Sequence, residues 1–496
     1  MSLVLSVALV VLALPPVELQ QQTAEQQRAA FDTVGLANYV ASVSLAGQLP
    51  DVAVVVVGPD GLIFETHIKT ASGATAGAEA RARTDDRFYL GAVSEMFTAF
   101  AILRLVDDGL LNLDYPIHDY LPELTLGDPA RTQRLTGRHL LGHRSGLPRI
   151  GYYNRRLQTR GQFEYATFVR EPGQRFDPSS LDYLILGRVV EALSGQRYSA
   201  HVSEHVLAPA GMQPLRSLAG TARGERLVDG HSYLFGRPLA TRAQVFADGM
   251  VPATHISTSA VDLGGFLSLL LDQGRVEGQP LLSTASVEAL MPGDGDHTDN
   301  GPVDGVAGRW KPVRGAEEPA WYREGVSPGF HAVVALVPQQ DLGIVILANR
   351  TGGPGPSAAL ALLSGVVDHA AGQSPRPYFP WERVLHIALF GLVVASILRT
   401  FLWYRRWKAM GRPTATAHTP IIVGLLAGEV VLSAALPLGV ILGAAKMSIG
   451  ALLHLYPDLG VAVIIFPISV IPAAVWRTLV HSERWRRGPN PAASQG

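Results

Sequence analysis

The apolar and polar positions first divide the chain into elements. Val54 to Val57 is a β-branched run, Gly58-Pro59-Asp60-Gly61 is a turn, and Leu62 to Ile68 returns, which predicts a hairpin. Val93, Met96, Phe97, Phe100 and Ala101 follow the i, i+3, i+4 spacing of a buried helix face, stopped by Asp108-Gly109. A second helix is predicted from about Leu181 to Leu193, ending at Ser194-Gly195. Two strand-like runs, His331 to Val337 and Gly343 to Ala348, flank a turn at Pro338 to Asp341. Strands at both ends with helices between them predict an α+β domain whose two ends join one sheet. Between Gln20 and Arg383 there is no internal repeat and no low-complexity tract.

Beyond Arg383 the pattern changes. Val384 to Leu398 carries no formal charge, and with Arg399 snorkelling the run extends to Tyr404. A second run, Pro420 to Ala445, is broken only by Glu429, and a third, Leu459 to Trp476, contains Pro467 and Pro472. Proline is tolerated in a membrane helix, where neighbouring helices and local adjustment satisfy the freed carbonyls. Three membrane helices are therefore expected, over 384–404, 420–445 and 459–476, within a membrane region 376–496. The loop after the first run holds Arg399, Arg405, Arg406, Lys408 and Arg412 and no acid, and the tail holds Arg477, Arg484, Arg486 and Arg487 against Glu483. By the positive-inside rule that loop and the C-terminus are cytoplasmic, so the large domain is extracytoplasmic. Leu3 to Leu14 is a short apolar stretch ending at Pro15-Pro16. Residues 1–22 therefore read as a signal peptide or signal anchor, although no Lys or Arg precedes the apolar stretch.

Composition narrows the chemistry. The chain has 496 residues, no cysteine and a formal charge of −1, so disulfides, thiolate metal sites and cysteine nucleophiles are excluded. Neutrality here is a sum of opposites. Residues 384–496 hold 10 basic and 3 acidic groups, leaving 31 basic and 39 acidic in the remainder. Nothing points to a nucleic-acid partner. Only four lysines exist, Lys69, Lys311, Lys408 and Lys446, and two of them precede the membrane region.

The run Gly91 to Leu124, GAVSEMFTAFAILRLVDDGLLNLDYPIHDYLPEL, resembles the first motif region of serine β-lactamase-related proteins. These include class C β-lactamases, penicillin-binding D,D-peptidases and related esterases. The resemblance continues through His139 to Leu147 (HLLGHRSGL), Glu171-Pro172-Gly173 with Phe176, Pro209 to Met212, Ser257-Thr258 with Asp262-Leu263, and Pro328-Gly329-Phe330. It implies a β-lactamase/transpeptidase-like domain over 23–375, an antiparallel sheet flanked by helices with a helical subdomain. It also implies a serine nucleophile with a lysine three residues on, a tyrosine in Y-x-N, and a K-T-G or H-x-G strand. On the matching positions Ala92 replaces the serine and Glu95 the lysine. Pro178 replaces the tyrosine, Ser180 the asparagine, and Arg323 stands before Gly325 in the third motif. With these losses the resemblance implies a pseudoenzyme, a binding or regulatory module at the cell envelope rather than a hydrolase.

Two alternatives stay open. One is a working serine hydrolase of this fold using Ser180 as nucleophile, with Glu95 as its base. The other is a membrane transport accessory in which Glu429, an ionisable group inside a membrane run, carries the function. Ser94 stands about 200° round a helix from Ala92 and so faces away from the cleft. Lys69 is expected near the end of a hairpin strand and Lys311 in a loop after Trp310. Glu95 and Arg323 fall in the same cleft with complementary charges, and we expect them to pair. His201-Val202-Ser203-Glu204-His205 matches a zinc-protease spacing but lacks a third ligand, and it is read as the polar face of an amphipathic helix. His143 is read as structural, at a helix end and turn. Asp294 to Asp299 lacks the EF-hand glycine and glutamate, and Tyr152, Tyr153, Tyr165, Arg155, Arg156 and Arg160 are expected in a loop over the cleft. No metal or cofactor is expected. The expected partners are the membrane and either cell-wall peptide fragments or an envelope protein.

Overall fold

A computed structural model describes residues 32–70, 85–149, 166–215, 227–234, 237–241, 248–292, 310–316, 318–351 and 357–409. The leader, the loop with Tyr152 and its neighbours, the Asp294 loop, the second and third apolar runs and Glu429 lie outside them.

The main elements follow in chain order. Helix α1 (Thr33–Ala46) leads into the hairpin β1 (Asp51–Gly58) and β2 (Gly61–Lys69). Helices α2 (Glu95–Asp107), α3 (Gly137–Leu141), α4 (Ser180–Ser194) and α5 (Ala260–Leu271) come next. Strands β3 (Lys311–Pro312), β4 (Trp321–Ser327), β5 (Phe330–Val337) and β6 (Leu342–Ala348) follow, then α6 (Ala358–Ala370) and α7 (Trp381–Ala409).

The six strands form one antiparallel sheet in the order β2-β1-β6-β5-β4-β3. The two ends of the domain meet inside it, because Val52 pairs with Ala348 and Val57 with Gly343. Every residue of β1 is buried, which explains a run of valines with no polar alternation. Successive side chains point to opposite faces. Ala53, Val55 and Val57 enter the core shared with α2, α4 and α5, while Val52, Val54 and Val56 enter a second core beneath α1 and α6.

Helix boundaries follow the local chemistry. Ser179 caps α4 by accepting from the Leu181 N–H, and Gly195 closes it in the left-handed region at φ 69°. Asp32, Ser259 and Ser357 cap α1, α5 and α6 in the same manner. Among the described residues no helix is long and apolar enough to cross a membrane. The first apolar run forms the 29-residue α7. Two local expectations need correction. Lys311 is not in a loop but in β3, opposite Tyr322, a strand too short to leave a periodic signal. The His201 segment is not one amphipathic helix: an α-turn over Tyr198–Val202 gives way to a π-turn over Ser203–Leu207, and His201 is buried.

Candidate functional site

The site lies where α2 and α4 meet the sheet. A short 3-10 turn, Gly91–Ser94, precedes α2 and packs against β4. That approach is possible only because residue 325 has no side chain: a Cβ there would lie 1.9 Å from the Leu90 carbonyl oxygen and 2.7 Å from the Ala92 nitrogen. Gly325 thus sets the distance between the turn that carries Ala92 and the strand that carries Arg323. Ala92 is half-buried. Ser94 is fully buried, and its Oγ accepts from the Ile256 N–H at 3.2 Å, so it is tied into the structure beside the cleft.

Glu95 opens α2 and is buried. Its Oε2 lies 3.3 Å from His143 Nε2 and 3.9 Å from Arg323 Nη2. The expected partner, Arg323, is therefore present at ion-pair range, but the imidazole is nearer. His143 Nδ1 in turn lies 2.8 Å from Asp182 Oδ2. Four buried groups, Arg323, Glu95, His143 and Asp182, form one chain of charge across the junction of helices and sheet.

The electrostatics of the imidazole follow from its neighbours. Burial alone would lower the pKa of His143, but the Glu95 charge and the Asp182 hydrogen bond outweigh it and hold the group up at about 10. A pKa that high favours the protonated ring at neutral pH, with Nε2 facing the Glu95 carboxylate and Nδ1 the Asp182 carboxylate. Burial pushes the Asp182 carboxyl up, opposed by the His143 hydrogen bond. Burial also raises the Tyr183 phenol, whose hydroxyl donates to the Leu141 carbonyl at 3.1 Å. Arg323 places its guanidinium 5.8 Å from the centre of the Trp310 ring. Its Nη1 is buried and has no hydrogen-bond partner among the described residues.

Pro178 is exposed, and Ser180 is half-buried in the first turn of α4. The capping hydroxyl belongs to Ser179, which also donates to the Pro148 carbonyl at 2.7 Å. Reading the sequence missed His143 and Asp182 as members of the site. His143 does stand at a turn, in the left-handed region at φ 52°, and that turn carries its ring into the cleft. The available signal was Asp182, a carboxylate in the first turn of an otherwise apolar, buried helix face.

Metal-ligating groups occur elsewhere. Asp51, His67 and Asp86 bring three donor atoms within 4.8 Å of one another. Lys69 Nζ already sits 2.8 Å from Asp86 and 3.5 Å from Asp51, so a fixed cation holds that place. His201 and His205 have ring centres 4.6 Å apart, but with Glu204 they form no three-ligand group among the described residues.

A helix-flanked antiparallel sheet joining both ends of the domain, with α2 and α4 over β4, is the setting the sequence resemblance implied. The beta-lactamase family profile matches residues 22–367. The chain belongs to the beta-lactamase family. Within this family it is similar to protein Flp of Staphylococcus aureus strain MW2, 21% identical over 372 residues, covering 73% of this chain and 72% of that protein. It is also similar to penicillin-binding protein 4 of Amycolatopsis lactamdurans, 27% identical over 313 residues, covering 60% of this chain and 81% of the relative. Among solved structures, the octameric penicillin-binding protein homologue from Pyrococcus abyssi superposes with a TM-score of 0.56 at 19% identity, over 73% of this chain and 81% of that one. At such identity the structural likeness establishes the β-lactamase-family fold.

Proposed function

We propose that this chain is a membrane-anchored, extracytoplasmic β-lactamase-family domain that binds a ligand in its cleft and does not cleave it. One observation carries the reading. Where the family resemblance calls for a serine and, one turn later, a lysine, the chain has Ala92 and a Glu95 that is engaged by His143 and Arg323. Ala92 offers no nucleophile, and the Glu95 carboxylate is taken up by His143 and Arg323 instead of facing one. Arg323 Nη1, a buried donor without a partner among the described residues, suits a ligand carboxylate, so a cell-wall peptide fragment is the favoured ligand over an envelope protein. Anchoring draws its support from the sequence: an uncharged run from Val384 to Leu398, two further apolar runs, and basic flanks that put the C-terminus in the cytoplasm.

The test is intact-mass measurement after incubation with a β-lactam and, separately, a fluorophosphonate. No mass increase is expected on the wild-type chain, nor full activity in the Ala92→Ser/Glu95→Lys double variant, which still has Pro178 and Arg323. A covalent adduct on the wild type overturns the binding reading, and an adduct mapped to Ser180 replaces it with hydrolysis.

A further inference from the structure

The segment joining α6 to α7 is fastened to the domain. Asp368, buried near the end of α6, accepts from Arg376 Nε at 2.9 Å and Nη2 at 2.8 Å, and its backbone carbonyl accepts from the Gln373 N–H at 2.9 Å. Tyr378 packs against the core beneath α1 and α6. Its position is defined from the other side by Gly47, just past the end of α1. A Cβ on Gly47 would lie 2.7 Å from Ala358 Cβ and 3.6 Å from Tyr378 Cε1. The start of α7 therefore emerges beside the C-terminal end of α1.

Exposed apolar side chains gather at that place. Leu45, in the last turn of α1, is 65% exposed. Phe379 and Trp381 are each 54% exposed, with ring centres 4.6 Å apart. The first turns of α7 add the exposed Val384, Leu385 and Ile387. Only Pro377 and Tyr378 separate Arg376 from Phe379, three Cα steps with a reach of about 10 Å at most, so the domain has little slack relative to α7.

We infer that the domain rests on a lipid bilayer through Leu45, Phe379 and Trp381, which lie at headgroup level where α7 enters. The inference rests on the anchoring proposed above and adds a fixed seating of the domain. Aromatic rings with apolar neighbours suit the membrane–water interface. The patch is continuous along the chain with the uncharged run that begins at Val384 in α7, which favours lipid over a protein surface as its occupant.

The chain has no cysteine, so single substitutions give unique labels. Leu45→Cys, Phe379→Cys, Ile387→Cys and Leu110→Cys would each carry an environment-sensitive fluorophore in the full chain, in nanodiscs with one chain per disc. Leu110, 51% exposed after α2 on the opposite side of the sheet, is the aqueous reference, and circular dichroism checks each fold. A lipid-borne quencher should act several-fold more strongly at positions 45, 379 and 387 than at 110. If position 45 behaves like 110 while 387 stays in lipid, the seating is wrong and anchoring stands. If 387 is also aqueous, anchoring itself fails. Shielding of position 45 that requires two chains per disc assigns the patch to a second copy and overturns the lipid contact.

Discussion

Two charge clusters in this domain have the same inventory. Each has two carboxylates, one imidazole and one basic side chain. At the sheet edge these are Asp51, Asp86, His67 and Lys69; in the cleft they are Glu95, Asp182, His143 and Arg323. The edge cluster draws three members from one hairpin, and His67 bonds Asp51 directly across β1 and β2. Its Lys69 side chain is 26% exposed and reaches water. The cleft cluster takes one group each from α2, the turn after α3, α4 and β4, with every side chain 8% exposed or less. The edge cluster is a local fastening, drawn mostly from one hairpin. The cleft cluster joins separate layers and leaves Arg323 Nη1 without a hydrogen-bond partner among the described residues.

That contrast can be broken by mutation. The largest effect is expected from His143→Ala, which removes the cation between Glu95 and Asp182 and leaves two buried carboxylates facing a cavity. Loss of one partner from such a buried set costs about 3–5 kcal/mol, measurable by urea denaturation. The same network sets the alkaline limit. His143 has a folded-state pKa raised from 6.5 to about 10, so its contribution is fully present below about pH 6.5 and is lost as pH rises through about 10. Stability curves for the wild type should fall across that window, and His143→Gln should flatten the fall. An unchanged alkaline limb in the variant would sink the assignment of a protonated imidazole.

Smaller effects sharpen the comparison. Lys69→Met at the edge should cost only about 1 kcal/mol, because the ammonium is already partly solvated. A cost equal to that of His143→Ala would erase the distinction between the clusters. Lys311→Ala is expected near the floor, at about 0.5 kcal/mol, since its ammonium is 47% exposed beside Glu324. Glu324 keeps its His331 hydrogen bond in that variant. That bond, with Lys311, holds the Glu324 carboxyl down at about 2. Its contribution is present above about pH 4.5 and disappears as pH falls through about 2, so Glu324→Gln should blunt acid denaturation.

Much of the fold was legible because its signals are local. The hairpin turn, the cap and stop of α4, and the buried face of α2 each lie within a few residues of their cause. The site was legible only in part. Ala92, Glu95, Pro178, Ser180, Arg323 and Gly325 could be placed by motif position, and the opposite charges of Glu95 and Arg323 suggested a pairing. His143 looked like turn material because nothing near it in sequence shows where a left-handed residue aims its ring.

The sequence by itself determined the α+β order of elements, the absence of thiol chemistry, and the residue types at the family's catalytic positions. The tertiary structure alone decided which charges meet. Glu95, His143 and Asp182 are separated by 48 and 39 positions, and only the packing of α2, the turn after α3 and α4 brings them within hydrogen-bond range. It also decided that a buried imidazole would be a cation. A pKa depends on the charges within a few ångströms, and chain order does not specify those distances.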